Sequence, residues 1–386
     1  MTSGVDEVVD LTAALVRIPS ENPTGTEEAC ARFVADWLGR LDVEVMVEEV
    51  APGRPNVIGR LRGRGGAPPL AYVAHMDTVP AGEGWTVDPF GGAVKDGRMY
   101  GRGTTDMKGG LAAAMVAFKA ALAAHPRAAR DFLLCATMDE EGPHMMGATA
   151  LAQREYLPVD ALVLAPEPSA LQLIVAHKGV MWYKVAARGR AAHAGAPQVG
   201  ADAIHGMAEF VARVKRRFDG LPGGHPLLGG STVTIGRVAG GIKTNVVPEF
   251  CTAEVDCRLA PPVGVPDVEA LLQEAAREAA QAVPGVTFAV EQFSAYRPAV
   301  EAAAGSPLGT ALAEAHREVT GTRVERTGIS GYTDAAILAV IQHNPHCFVY
   351  GPGFFQQAHT VDEFVPVEHL RTAAHVLTRA AEMLLA

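Results

Sequence analysis

Two imidazoles and a series of carboxylates stand where apolar runs of this chain give out: His75-Met-Asp77, Thr104-Thr-Asp106-Met-Lys-Gly-Gly, Asp139-Glu140-Glu141-Gly, Pro166-Glu167-Pro and, far downstream, Ala358-His359. Imidazole nitrogen and carboxylate oxygen together suit a closely spaced pair of hard-to-borderline divalent cations, zinc foremost. Two such cations define a reaction class, hydrolysis by a metal-activated water.

Each segment also has a plainer reading. His75 ends the apolar run 70–74, and in extended chain residues two apart face the same way. Asp77 is thereby placed to accept the second ring N–H of a ligating His75, although a turn histidine beside a turn aspartate has the same sequence. Asp106 lies between Gly101-Arg-Gly-Thr-Thr and a helix start, where it can cap the helix or offer its two oxygens to two cations. Asp139-Glu140-Glu141 is the kind of acidic run that is usually solvated. It leaves the end of a buried strand, however, and open α/β sheets put their sites there. One of its acids can bind metal while a neighbour carries protons. Glu167 is stiffened by flanking prolines, and His359 follows the strand through Tyr350. The weight of the argument is that all five positions follow strand ends in one chain.

The elements that must position these residues alternate in type. Val5, Val8, Val9, Leu11 and Leu15 space an amphipathic opening helix, and Thr26-Glu-Glu opens a second with acids in its first turn. Runs 70–74, 131–137 and 160–165 read as short strands buried on both faces. Leu111, Met115, Phe118 and Leu122 mark a helix between the first two. From Lys178 the pattern changes. Strands at 180–188, 231–238, 246–259 and 286–290 and helices at 201–218 and 268–282 follow the order of a split βαβ module. After Ser294 the α/β character returns, with a helix near Thr333, a strand at Cys347-Phe-Val-Tyr and a last helix from Val367. The expected fold class is α/β: a discontinuous catalytic domain over 1–177 and 294–386, with a central mixed sheet flanked by helices, and an inserted ferredoxin-like α+β domain over 178–293.

Bulk properties narrow the function classes. The 386 residues suit two domains, and 48% hydrophobic with 20% charged residues describes a folded globular chain. A net charge of -10, with no run of five Lys or Arg, excludes a nucleic-acid partner. No uncharged apolar stretch reaches the ~18 residues of a membrane span, and the acidic start Met1-Thr-Ser-Gly-Val-Asp-Glu has no signal-peptide pattern. Cys30, Cys135, Cys251, Cys257 and Cys347 form no C-x-x-C pair and read as reduced, packed thiols of a cytoplasmic protein.

These motifs resemble the di-zinc hydrolase superfamily of aminoacylases, glutamate carboxypeptidases, acetylornithine deacetylases and succinyl-diaminopimelate desuccinylases. The resemblance runs from Leu15-Val-Arg-Ile-Pro-Ser to Asp362-Glu-Phe-Val-Pro, nearly the whole chain. It implies a zinc-peptidase-like catalytic domain and a lid and homodimerisation role for the inserted domain. One zinc would be held by His75 and Glu167 and the other by Glu141 and His359, with Asp106 bridging; cobalt and manganese are alternatives. Asp77 would orient His75, and Glu140 would be general base and acid toward a metal-bridging water. The resemblance also implies a cis peptide bond at Asp106-Met107. Two dications against Asp106, Glu141 and Glu167 leave one positive charge, which a bridging hydroxide neutralises.

Further matches carry further roles. Arg188-Gly-Arg-Ala-Ala-His193 resembles the segment whose histidine steadies the oxyanion from the partner subunit. Gly241-Ile-Lys-Thr-Asn245 and Glu254-Val-Asp256-Cys-Arg258 offer an oxyanion or carboxylate donor and a carboxylate-binding guanidinium. The alternatives are an ordinary loop histidine and a strand-face ion pair of Arg258 with Asp256 or Glu254. Gly328-Ile-Ser-Gly-Tyr-Thr-Asp334 is a substrate-contacting segment or a helix cap by Thr333 or Asp334. Within the resemblance, Glu rather than Asp at position 167 implies the deacylase, desuccinylase and glutamate-carboxypeptidase branches, since aminotripeptidases and aminoacylases more often carry Asp there and either carboxylate can bind zinc. The expected activity is metal-dependent release of an amine from an N-acetyl- or N-succinyl-type amino acid. A metallo-carboxypeptidase or dipeptidase is the close alternative, and a non-catalytic binding protein on the same fold the distant one.

Overall fold

The computed structural model describes residues 3–23, 27–142 and 144–386. It divides the chain into two compact units, Met1–Val175 with Glu301–Thr327 and Thr333–Ala386, and Ala176–Val300 with Gly328–Tyr332. The second unit therefore takes in a short return segment that the sequence assigns to the catalytic domain.

In chain order the first unit contains α1 (Ser3–Val16), α2 (Glu28–Leu38), β1 (Glu44–Ala51), β2 (Arg54–Leu61), β3 (Leu70–His75), β4 (Ala93–Lys95), β5 (Arg98–Tyr100), α3 (Lys108–Ala124), β6 (Phe132–Thr137), α4 (Met146–Gln153), β7 (Leu162–Ala165) and β8 (Leu173–His177). The second unit's elements are β9 (Gly179–Arg188), β10 (Ala192–His193), α5 (Ala203–Asp219), β11 (Thr232–Gly240), β12 (Val246–Val247), β13 (Phe250–Leu259), α6 (Val265–Ala282) and β14 (Thr287–Gln292). The chain returns through β15 (Val300–Glu301), α7 (Pro307–Thr320), β16 (Arg326–Ile329), α8 (Asp334–Gln342), β17 (Cys347–Val349), β18 (Phe364–Pro366) and α9 (Val367–Leu385). Thr26, expected to open the second helix, lies outside the described residues.

The main sheet runs β1-β2-β6-β3-β7-β17-β8-β15. Its centre is parallel: β3 pairs with β6 and β7, and β17 with β7, all in the same direction. Every residue of β3, β6 and β7 is buried, as a sheet covered on both faces requires. Parallel pairing brings the carboxyl ends of these strands to one edge. The helix α3 is buried along most of its length, and Tyr72 of β3 donates its hydroxyl to Leu377 O of α9 at 2.7 Å. At the start of α3 a Cβ on Gly110 would lie 1.9 Å from Pro166 O, so a side chain there forces the helix or the Pro166 segment to shift.

The second unit's main elements follow the order β9-α5-β11-β13-α6-β14, a split βαβ order. Its sheet is β11-β13-β9-β14, antiparallel throughout, with α5 and α6 supplying the apolar side chains that cover it. One expectation is corrected: 246–259 is two strands rather than one. Pro248 lacks the N–H a continuous ladder needs, so the chain breaks between β12 and β13. All five cysteines are free and buried.

Candidate metal centre

Three of the acidic or imidazole segments leave neighbouring parallel strands on one edge. His75 is the last residue of β3, Asp139-Glu140-Glu141 follows β6, and Glu167 follows β7. Asp106 and His359 do not sit at strand ends, contrary to the expectation from sequence. Asp106 comes from the turn entering α3, and His359, with a φ of 63°, from a loop after a short 3-10 turn at Phe355–Gln357. Both belong to loops held by the rest of the first unit.

The five side chains converge. His75 Nε2 lies 3.2 Å from Asp106 Oδ1 and 3.7 Å from Glu167 Oε1. His359 Nε2 lies 3.3 Å from Asp106 Oδ2 and 3.0 Å from Glu141 Oε1. One aspartate thus turns one oxygen to each histidine. Among the described residues, His75–Asp106–Glu167 and Asp106–Glu141–His359 are each within ligating reach of a common point. Asp106 does not cap α3, and the Asp106–Met107 peptide bond is cis. Glu140 is adjacent, its Oε2 3.9 Å from His75 Nε2.

Asp77 is buried, but its carboxylate is not the main partner of His75. The ring Nδ1 meets the backbone oxygen of Asp77 at 2.9 Å, against 3.6 Å to the carboxylate. The carboxylate instead accepts Glu140 N and Glu141 N, each at 3.1 Å, and Asn22 Nδ2 at 2.8 Å. Asp77 therefore orients His75 with its main chain and holds the glutamate pair with its side chain.

Burial, and after it the crowding of carboxylates, sets the protonation of this cluster. Burial, joined by the charges of its neighbours Glu167 and Glu141, pushes the Glu140 carboxyl well above its usual range. Burial does the same to Glu167, with Asp106 and Asp334 adding to it. His75 is pulled down by burial, yet Glu167, Asp106 and Glu140 together hold it well above the ordinary imidazole value. His359 is pushed up to about 10, chiefly by its hydrogen bonds to Asp106 and Glu141. A site that clings to protons in this way is short of positive charge. Glu167 Oε1 is buried and has no hydrogen-bond partner, which marks it as an acceptor left for a cation. The donor set of imidazoles and carboxylates fits a pair of divalent ions.

The sequence did not single out the residues behind the ligands. Arg54 pairs with Glu27 and reaches Asp139 Oδ1 at 3.2 Å, and Asn22 Nδ2 reaches the same oxygen at 3.0 Å. Asp139 is thus an internal anchor, not a solvated acid. Asp334, offered as a helix cap, instead accepts Thr137 Oγ1 at 2.6 Å, and burial pushes it up to about 6. Glu363 takes backbone N–H groups of the Asp106 loop. Asp362-Glu is one of the motifs that carry the resemblance, which was the available signal for Glu363; Glu27 read only as an acid in a helix's first turn, and Asn22 and Arg54 stand in no motif.

The remaining sequence candidates belong to the second unit. His193 and Asn245 adjoin: β10 pairs with β12, and Ala194 N donates to Asn245 O at 3.1 Å. His193 is exposed, its Nδ1 accepting Gly195 N at 3.0 Å. Arg258 forms the ion pair its sequence left open, with Nε and Nη2 on the two oxygens of Asp256 at 2.7 and 2.9 Å, and Nη1 on Ser330 O.

Known proteins resemble this chain along nearly its whole length. The profile of peptidase family M20/M25/M40 matches residues 71–383. A Staphylococcus aureus protein described as a probable succinyl-diaminopimelate desuccinylase is 30% identical over 392 residues, covering 93% of each chain. A Vibrio cholerae acetylornithine deacetylase is 30% identical over 366 residues, 93% of this chain and 92% of its own. Among solved structures, a tripeptidase from Staphylococcus aureus superposes with a TM-score of 0.81 at 23% identity, over 99% of this chain and 98% of its own.

Proposed function

The chain belongs to peptidase family M20/M25/M40, and from that premise we propose that it is a metal-dependent amidohydrolase releasing the amine from N-acetyl- or N-succinyl-type amino acids. That it is a hydrolase of amide bonds follows from the family and from relatives named as desuccinylase and deacetylase. The observation that carries the reading is the position of Asp106, whose two oxygens face His75 and His359 at 3.2 and 3.3 Å. His75 and Glu167 would hold one ion and Glu141 and His359 the other, with Asp106 shared. Two ions of the zinc type, with cobalt and manganese as alternatives, would supply Lewis-acid polarisation of the amide carbonyl and acidify the attacking water.

Glu140 is the proton carrier. It ligates neither ion in this assignment and lies beside them, and burial raises its carboxyl well above the ordinary carboxylate range. It takes the proton of the attacking water and returns it to the leaving amine. Asp77 keeps Glu140 in place by accepting its backbone N–H. His193 and Asn245 donate to the oxyanion, and their adjacency supports a joint role. Arg258 binds the substrate carboxylate only by exchanging it for Asp256, so it ranks behind them. The unit formed by 176–300 acts as lid and homodimer contact: β11 is an edge strand, with Val238 exposed along it and Ile242 beyond its end. The free cysteines suit a cytoplasmic setting.

Amine release from a panel of N-acetyl, N-succinyl and N-formyl amino acids and dipeptides, with added zinc, tests the substrate class. Turnover of the acylated amino acids above the dipeptides is expected. Preference for dipeptides would move the assignment to a peptidase, and no turnover of either would favour a binding protein.

A further inference from the structure

Glu363 is fully buried, and its neighbours account for all of its acceptor capacity. Oε1 accepts Thr105 N at 2.8 Å and Asp106 N at 3.1 Å. Oε2 accepts Gly103 N at 3.1 Å and the guanidinium Nη1 of Arg102 at 2.5 Å. An ionised carboxylate has about four lone-pair sites, and here each has a donor. The main chain continues the attachment: Gly101 N donates to Glu363 O at 2.9 Å and Thr105 Oγ1 to Phe364 O at 2.6 Å. The loop presenting Asp106 is therefore fastened to the segment that follows His359.

The same device occurs once more in the site. Asp77 accepts two consecutive backbone N–H groups of Glu140 and Glu141, and Glu363 accepts two consecutive ones of Thr105 and Asp106. We propose that Glu363 is a positioning residue for the metal pair, setting the register of Asp106 against His359, as Asp77 sets Glu140 and Glu141. This rests on the two-ion reading of the site. Neither oxygen of Glu363 is free to ligate, so its effect passes through Asp106. An amide in its place would turn an NH2 toward backbone N–H donors and keep only one acceptor atom. Groups that orient metal ligands typically change metal affinity or activity by roughly 10–100-fold when replaced.

The test is Glu363→Gln in the full-length, metal-loaded protein. Cobalt titration followed by the visible d–d spectrum and metal stoichiometry reads the site directly, and kcat and KM read the reaction. Wild type should bind two ions. The variant should retain a cooperative thermal transition, show an altered cobalt spectrum, bind its weaker ion at least about 10-fold less tightly, and lose kcat with little change in KM. Glu363→Asp, which keeps the charge but withdraws it by one methylene, should recover part of the affinity. If Glu363→Gln does not fold, Glu363→Asp is judged by the same spectrum and affinity. A wild-type cobalt spectrum and wild-type affinities in the folded variant would overturn the proposal. Failure of the wild type itself to bind two ions would instead overturn the reading on which it rests, and the proposal with it.

Discussion

The two halves of the candidate metal centre are built differently. His75 and Glu167 leave adjacent parallel strands and are almost wholly enclosed, with side chains 0% and 6% exposed. Glu141 and His359 form the more open half, through His359 alone: its imidazole is 52% exposed and sits on a loop, while the Glu141 side chain is 8% exposed. The sheet fixes the first half, because strands buried on both faces cannot shift without disturbing the core. The second half depends on carboxylates gripping backbone N–H groups, Asp77 for Glu141 and Glu363 for the loop of Asp106. Two ions sharing the one aspartate would thus differ in accessibility, the inner position favouring retention of a cation and the one beside His359 its exchange.

The largest effect belongs beside the inner half. Glu140→Ala should lower kcat by about 10²–10⁴-fold, the usual worth of a positioned general acid–base, while both ions remain bound. Steady-state kinetics with metal analysis checks this, and loss of metal along with turnover would show that Glu140 is a ligand. Next comes the asymmetry itself. His359→Ala should retain one ion per chain. His75→Ala should strand Glu167 and Asp106 without their imidazole and lose the inner ion. Timed metal analysis of the wild type under a chelator should show two release phases, the first matching the ion missing from His359→Ala. A single phase would erase the distinction.

A smaller effect concerns pH. In the metal-free protein His359 is pushed up to about 10 by Asp106 and Glu141, and His75 stands well above its usual value. A ligating imidazole must be neutral, so binding expels these protons, and affinity falls as the pH is lowered below the raised values. Calorimetry in buffers of different ionisation heat should register proton release near neutrality. An uptake heat independent of the buffer would contradict it. Smallest is a packing effect confined to the inner half. Gly110→Ala places a Cβ against Pro166 O, next to Glu167, and overpacking of this kind costs about 1–3 kcal/mol. Thermal melting should show the loss, and an unchanged midpoint would mean that α3 shifts freely.

The inner half was readable in the sequence because its cause is local. An apolar run long enough for a strand, ended by a ligating residue, names both the element and the edge at which it stops. The split βαβ unit was readable for the same reason, since its alternation and helical spacing are short-range. The outer half was less so. Asp106 and His359 follow no strand directly, and what holds them, Glu363 against residues 103–106, is a contact between distant segments. Asp139 belongs to an acidic run of a kind that is usually solvated, yet Arg54 and Asn22, remote in sequence, and Met146 N hold it inside. Asp77 was expected to accept the second ring N–H of His75; its backbone oxygen meets that nitrogen while its carboxylate takes two backbone N–H groups, a choice between oxygens of one residue that residue type alone does not express.

Anomalous diffraction from crystals of the zinc-loaded protein, recorded above and below the zinc edge, tests the shared aspartate most directly. Two peaks should appear, one bounded by His75 and Glu167 and the other by Glu141 and His359, with an oxygen of Asp106 bonded to each. A single peak, or two peaks with Asp106 bonded to only one of them, would contradict the account.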